Sequence, residues 1–447
     1  MRALLKKYWV ALFTATVLLS CTEEAIVSEV PKTDSEHADL SENDYKVSIE
    51  EAEEYLTGFL KHLDDPLTYG SNGGRKIKNV EAIRSNRQIQ TYASENDLHV
   101  DLDTLMYAIN FENGQGFALM AADRRTTPIY AIIDEGEYNY DEAIKNPGFA
   151  LFMQNAIVKE LEDIKNYENV NKTSLTTYSN LGNTGRIDDW KISQKYGPYI
   201  SVQWGQGSPY DKYCPGVTGC GITATAQILS YLKPNLTISY NNSYPIKLNW
   251  PLLTKKRQLL VDEEGDEAIA VEQVAILMRY LGLTLDAHYW SGGTWIKPYK
   301  GVDFLKRLGY QTTSLSKYNF NTIKKTIEDK GVIYIVGFSD KVRILFWKIT
   351  DITKGHIWVI DGYVTGKPYY IYNRSNPPSY HYGPTTTLIH CNWGWKGKYN
   401  GYFEDDVFLI GGVAPRESYE PDPDRRKSSD GFKQYKYNVE IATVKPQ

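Results

Sequence analysis

Thr218-Gly219-Cys220-Gly221-Ile222-Thr223-Ala224-Thr225-Ala226-Gln227 places a cysteine between glycines at the mouth of an alanine-rich stretch. Ile222, Ala226, Leu229 and Leu232 recur at helical spacing, which predicts a helix from about Gly221 to Lys233, and Pro234 stops it. A thiol at a helix start lies among unsatisfied N–H groups at the positive end of the helix dipole, which favours the thiolate. The backbone N–H of Cys220 then points at an oxyanion formed by attack on a carbonyl. Gln206, in Trp204-Gly205-Gln206-Gly207-Ser208-Pro209-Tyr210, offers a side-chain amide as the second donor. Read alone, such a stretch is more often a small apolar cysteine packed under a helix.

A nucleophile of this kind needs a base, and the base needs an orienting group. Of seven histidines, His356 stands at the head of a strong β-run, Gly355-His356-Ile357-Trp358-Val359-Ile360-Asp361-Gly362-Tyr363. His390 is its competitor, in His390-Cys391-Asn392-Trp393-Gly394-Trp395. Asn392 is placed to accept from an imidazole N–H, and Trp393 to cover that bond from water. By themselves the same residues also fit an aromatic turn or a sugar-binding platform.

Taken together, these patterns resemble the streptopain-type peptidases of the papain-like clan. Gln206 to Tyr210 resembles that family's Gln-Gly-x-Pro-Tyr run, and Thr218 to Gln227 its nucleophile motif. Gly355 to Tyr363 and Asn392 to Tyr402 resemble its base and Asn-Trp-Gly-Trp runs. The resemblance implies Cys220 as nucleophile, His356 as base, Asn392 as orienter, Trp393 as shield and Gln206 as oxyanion donor. It implies an α+β fold in which a helix-borne cysteine packs on an antiparallel sheet, preceded by a small α+β pro-domain that inhibits the enzyme. Asn110-Phe111-Glu112-Asn113-Gly114 and Gly116-Phe117-Ala118-Leu119 resemble the family's pro-segment.

The implied activity is peptide hydrolysis through a thioester, on protein or peptide substrates and with no cofactor or metal. A papain-like amidase or transferase, and a catalytically dead surface-displayed binding protein, are the alternatives. The sequence departs from the family at Gly221-Ile222, where Val-Ala is usual, and at Lys396, where glycine is usual. His356 and Asn392 lie 36 positions apart, longer than the family pattern, with the extra chain at about Thr365–Thr387 expected as a loop beside the cleft.

At 447 residues the chain has room for two or three domains, and a net charge of −5 shows no basic footprint for nucleic acid. Arg2, Lys6 and Lys7 precede an apolar run from Tyr8 to Leu19, about the length of a signal h-region and short for a membrane span. Leu18-Leu19-Ser20-Cys21 resembles a bacterial lipobox, which implies cleavage and lipidation at Cys21; an ordinary signal peptide is the alternative. The expected plan is a signal peptide (1–20), a polar tether (21–43), the pro-domain (44–167), a linker carrying the activating cut (168–190) and the catalytic domain (191–447).

The product would be exported and lipid-anchored at the cell envelope. Within the pro-domain, Ser48 and Glu51 predict a capping box opening a helix that ends near Leu63, and Asn113-Gly114 predicts a hairpin. Asp141 to Asn166 reads as one helix. With four cysteines there is no disulfide framework; Cys214 and Cys391 are expected as buried free thiols, with a single bridge between them in an oxidising compartment as the alternative.

Overall fold

The computed structural model describes residues 45–64, 74–85, 93–94, 98–143, 145–169, 189–239, 245–291, 293–339, 355–372, 379–409 and 437–447. The expected signal peptide, Cys21, the tether and residues 170–188 of the expected linker lie outside them.

The N-terminal unit follows its sequence signals closely. Ser48 caps α1 (Ile49–Leu63), with its Oγ accepting from the Glu51 N–H at 3.2 Å while the Glu51 carboxylate accepts from the Ser48 N–H at 2.9 Å. One face of α1, with Ala52, Tyr55, Leu56, Phe59, Leu60 and Leu63, is buried. Four antiparallel strands follow: β1 (Ile77–Ile83), β2 (Met106–Phe111), β3 (Phe117–Ala121) and β4 (Ile129–Ile133). The predicted hairpin is β2–β3, with Asn113 and Gly114 both in left-handed conformations at its turn.

The expected helix over 141–166 is instead a short turn at Tyr140–Ala143 and a longer helix, α2 (Pro147–Asn169). Asn146-Pro147 makes the break. The Asn146 Oδ1 accepts from the N–H groups of Gly148 (3.1 Å) and Phe149 (3.2 Å), capping the new helix, and proline suits its first turn.

Beyond residue 188 the chain enters β5 (Asp189–Tyr196), so Asp189 and Trp190, expected in the linker, are ordered strand residues. The nucleophile helix α3 (Cys220–Leu232) and the helix α4 (Gly265–Thr284) come next, followed by the two-stranded β6 (His288–Trp290) and β7 (Gly293–Trp295). The remaining strands are β8 (Val332–Ser339), β9 (His356–Tyr372), β10 (Ser379–Tyr382), β11 (Thr386–Asn392), β12 (Gly401–Glu404) and β13 (Tyr437–Lys445).

Among the described residues, eleven of these strands (all but the separate β6–β7 pair) build one 13-stranded antiparallel sheet together with the two-residue strands Gln311–Thr312 and Ser316–Lys317. Its central order is β1-β2-β3-β4-β12-β11-β9-β8-β13, with β5 and β10 also paired to β9. The seam between the N-terminal unit and the rest is β4 against β12, pairing Ile133 with Gly401, Ile132 with Tyr402 and Ala131 with Phe403. Residues 41–447 are accordingly one compact unit.

Strand alternation divides the core into two layers. Tyr334, Val336, Ile357 and Val359 join Ile222, Ala226 and Leu229 of α3 in one cluster. Ile333, Ile335, Trp358 and Ile360 point the other way and join Phe149, Phe152, Met153, Ile157 and Leu161 of α2. The helix α3 therefore covers one face of the sheet and the N-terminal unit's long helix covers the other.

Of the expected loop at Thr365–Thr387, residues 373–378 lie outside the described residues and the rest is mostly strand. β9 runs on to Tyr372 and pairs antiparallel with β10, and its Tyr363–Tyr369 stretch pairs with β5. Ten strand residues separate His356 from Gly366, about 30 Å, so this insertion lies far along the sheet from His356 and lengthens the platform under the N-terminal unit.

Trp190 locks that platform to α1. Its ring meets Tyr55 and Phe59 edge-on, each at 4.8 Å, and its Nε1–H donates to the Tyr55 carbonyl at 3.2 Å. Cys214 and Cys391 are free thiols as expected, although Cys214 is half-buried rather than buried.

Candidate active site

Cys220 is the first residue of α3. Gly219 precedes it with φ of +90°, and a β-carbon on Gly219 would lie 2.8 Å from Thr294 Cβ, so both conformation and space demand glycine there. No side chain caps the helix. Burial pushes the Cys220 thiol up, while the backbone N–H groups of Ile357, Gly221 and Cys220 itself pull it down. The net shift is upward, so the half-buried group is a thiol at neutral pH. Gln206 is held beside it, because the Thr218 N–H donates to the Gln206 carbonyl at 2.8 Å.

His356 occupies the opposite face of the sheet. Its ring stacks on Trp358 (5.9 Å between centroids, 14° between planes) and lies 6.2 Å from Trp393. Its Nε2–H donates to the Trp393 carbonyl at 2.9 Å, which assigns the tautomer. Burial pulls the imidazole down to about 4, with the Trp393 carbonyl opposing that shift. Burial thus favours the neutral form of both the Cys220 thiol and the His356 imidazole.

Gly148, in the first turn of α2, closes over this histidine. A β-carbon on Gly148 would sit 2.3 Å from Trp393 Cε3 and 2.8 Å from His356 Cδ2.

Asn392 does not touch His356 in this arrangement. Its Oδ1 accepts from Gln227 Nε2 at 2.8 Å and from the Gly394 N–H at 3.3 Å, and its Nδ2 donates to the Val202 carbonyl at 2.9 Å. Trp393 is fully buried over the histidine, with its N–H held by Asn400 Oδ1 at 3.0 Å. Cys220, Gln206, Asn392 and Trp393 thus border one region. The His356 ring is turned from it and bonds one peptide group beyond the Asn392 side chain.

Residues 204–403 match the Peptidase C10 family. The chain is a cysteine peptidase similar to streptopain. Streptopain of Streptococcus pyogenes serotype M28 is 26% identical over 343 residues, covering 68% of this chain and 74% of streptopain, and the serotype M1 protein gives the same values. The matched share is larger than the stretch from Trp204 to the C-terminus, so the similarity reaches into the N-terminal unit. A solved fragment of prointerpain A from Prevotella intermedia is 18% identical with a TM-score of 0.46, covering 75% of this chain and 94% of that fragment.

The two departures from the C10 pattern have local physical reasons. A β-carbon on Gly221 would meet Ile296 Cδ1 at 2.5 Å, Ile296 Cγ1 at 2.7 Å and Ile357 Cδ1 at 3.0 Å. Ile296 thus fills the space that a larger residue after the nucleophile would need. Lys396 sits at φ of +55°, a left-handed conformation that costs a non-glycine residue about 1–2 kcal/mol. Its stem packs over Gly205, where a β-carbon would lie 2.5 Å from Lys396 Cγ.

His390, the competing base, has another task in this peptidase. A register shift between Ile360 and Gly362 leaves Asp361 as an extra residue in β9. Its carboxylate takes His390 Nδ1 at 2.6 Å and the Ile200 N–H at 2.8 Å, while His390 Nε2 meets Asp134 of the N-terminal unit at 3.1 Å. Against the cost of burial, the Asp361 charge and the hydrogen bonds to both carboxylates raise His390 to about 10. It is an imidazolium clasp between the two halves of the sheet.

Sequence reasoning missed Gly148, Asp134 and Gln227. Gly148 and Asp134 carry no motif that marks a partner hundreds of residues away. Gln227 lay within the quoted nucleophile stretch, and its place two helical turns after Cys220 was the available signal.

Proposed function

We propose that the chain is the zymogen of an exported cysteine endopeptidase, and that residues 44–167 are its inhibitory pro-domain. The observation that carries this reading is the Gly148 contact. The start of α2 packs on His356 and Trp393 while the imidazole bonds the Trp393 carbonyl, away from Cys220. The conjunction of a neutral thiol and a neutral, misdirected base supports inhibition by distortion of the site.

Once the pro-domain leaves, His356 loses its cover and is free to pair with Cys220. The thiolate attacks the carbonyl carbon of a peptide bond, with the Cys220 N–H and the Gln206 amide holding the oxyanion. His356 gives its proton to the leaving amine, then takes one from water as that water cleaves the thioester. Asn392 Oδ1 orients the ring and Trp393 keeps water off that bond. Protein or peptide chains are the substrates, by analogy with streptopain.

Cleavage within 168–190 is the activating event, and lipidation at Cys21 after removal of 1–20 is the anchor at the cell envelope. A general peptide substrate tests the chemistry. Cleaved wild-type protein hydrolyses it, and Cys220→Ala loses activity on the order of a million-fold. Equal turnover by the two proteins refutes the assignment.

A further inference from the structure

One buried side chain touches all three segments that carry the machinery. Gln227 lies seven residues after Cys220, two helical turns on, so both project from the same side of α3. It is fully buried, and both of its amide hydrogens are engaged: Nε2 donates to Asn392 Oδ1 at 2.8 Å and to the Trp204 carbonyl at 3.2 Å. Trp204 opens the segment that carries Gln206, and Asn392 precedes the tryptophan whose carbonyl receives His356.

The surroundings fix which way round both amides sit. The Val202 carbonyl requires a donor, so Asn392 turns Nδ2 toward it; the Gly394 N–H requires an acceptor, so Oδ1 faces Gly394. The Trp204 carbonyl does the same for Gln227 Nε2. Turning either amide would set like groups against each other. At Asn392 Oδ1 the Gln227 bond is the short one, and the 3.3 Å bond from Gly394 is the one that yields to an arriving imidazole N–H.

Packing alone does not explain a glutamine here. Its Oε1 is buried without a hydrogen-bond partner among the described residues, a cost that an apolar side chain of equal length would avoid. The donor end is what the position needs.

We propose that Gln227 is a positioning residue of the peptidase. It holds Asn392 Oδ1 where a His356 N–H docks after pro-domain release, and ties that oxygen to the nucleophile helix and the Gln206 segment. This rests on the orienting role of Asn392 given above. An apolar residue at 227 frees the Asn392 amide to rotate, leaving the imidazole poorly aimed.

Kinetics of the full-length protein activated by limited proteolysis within 170–188 test this, for wild type, Gln227→Met, Asn392→Ala and the double variant. Gln227→Met lowers kcat roughly ten- to hundredfold with KM little changed, the scale expected for misplacement of a catalytic group. It also shifts the acid limb of the pH profile, and it adds almost nothing in the Asn392→Ala background. Full kcat in Gln227→Met beside an impaired Asn392→Ala overturns the Gln227 role alone; full kcat in Asn392→Ala overturns both readings. Equal losses in the two backgrounds also overturn it, since Gln227 would then act independently of Asn392. If Gln227→Met does not fold, Gln227→Glu decides. Its carboxyl donates only when protonated, so its kcat relative to wild type rises as pH falls, and a flat ratio overturns the proposal.

Discussion

Gly148 and His356 are in contact across the sheet's N-terminal-unit face, so closely that a single β-carbon on Gly148 would come within 2.8 Å of the imidazole. The two residues are far apart in sequence, and the contact couples the docking of α2 to the orientation of the base. On the zymogen reading proposed above, inhibition needs no side chain in the cleft. It needs a helix end without one.

Gly148→Ala therefore loosens the docked state. The added carbon overpacks the Trp393–His356 stack, at a cost of about 1–3 kcal/mol. Hydrolysis by the uncleaved protein rises as a result, by roughly tenfold or more. An uncleaved Gly148→Ala protein as inactive as wild type speaks against this coupling.

Trp190→Ala removes the knob between α1 and β5. The ring is buried against Tyr55 and Phe59, and large-to-small changes of this kind cost about 3–5 kcal/mol. Thermal unfolding of the uncleaved chain should fall by several degrees, and the pro-domain should dissociate sooner after the linker is cut. A cut before Asp189 leaves this knob in place, so the pro-domain stays bound for a time after cleavage.

The pH dependence of docking has a definite sign above pH 6.5. Against the cost of burial, His390 is raised to about 10 by Asp361 and by Asp134 of the N-terminal unit, so the part of its contribution that Asp134 supplies to docking is lost as pH rises through about 10. The groups facing it are Asp134, Asp361 and the Tyr402 ring. Where α2 meets residues 404–406, burial raises Asp405 from 3.8 to about 7, and burial also raises Glu404 and Asp163 beside Lys159. Carboxyls raised by burial stabilise the docked form when protonated, and that stability too is lost as pH climbs.

His356 works in the opposite sense at acid pH, because burial lowers it to about 4. Release of the cleaved pro-domain, followed by size exclusion, is therefore faster at pH 9 than at pH 7. Slower release at pH 9 would contradict the clasp.

Gly221→Val restores the residue usual for the family yet should harm this enzyme. Its β-carbon would clash with Ile296, so we expect a loss of about 1–3 kcal/mol in stability. Ile296→Ala in the same chain should recover much of it. If Gly221→Val alone is neutral in thermal unfolding, Ile296 is not the compensating residue.

Much of this was legible in the sequence, because local rules govern it. The Ser48–Glu51 capping box, the Asn113-Gly114 hairpin and the helix opened by Cys220 all rest on neighbours within a few residues. Gln206 lies beside the start of that helix, where the Thr218 N–H donates to its carbonyl, and Asn392 bonds Gln227 within the helix. What escaped was set by contacts between distant segments. Asn392 bonds Gln227 while the His356 ring bonds the Trp393 carbonyl, and Thr365–Tyr369 is strand because β5 was there to pair with it. The break at Asn146-Pro147 was readable, since proline disfavours helix in the residue before it. Reading through it hid the helix start that delivers Gly148.

The rate at which a neutral alkylating agent labels Cys220, mapped by mass spectrometry, is the decisive quantity. In the uncleaved chain burial holds the thiol up and His356 is turned away, so labelling at pH 7 is slow. After cleavage and removal of the pro-domain it should be roughly a hundredfold faster, as the thiolate forms beside the imidazolium. Equal labelling rates before and after removal would contradict control of Cys220 by the pro-domain.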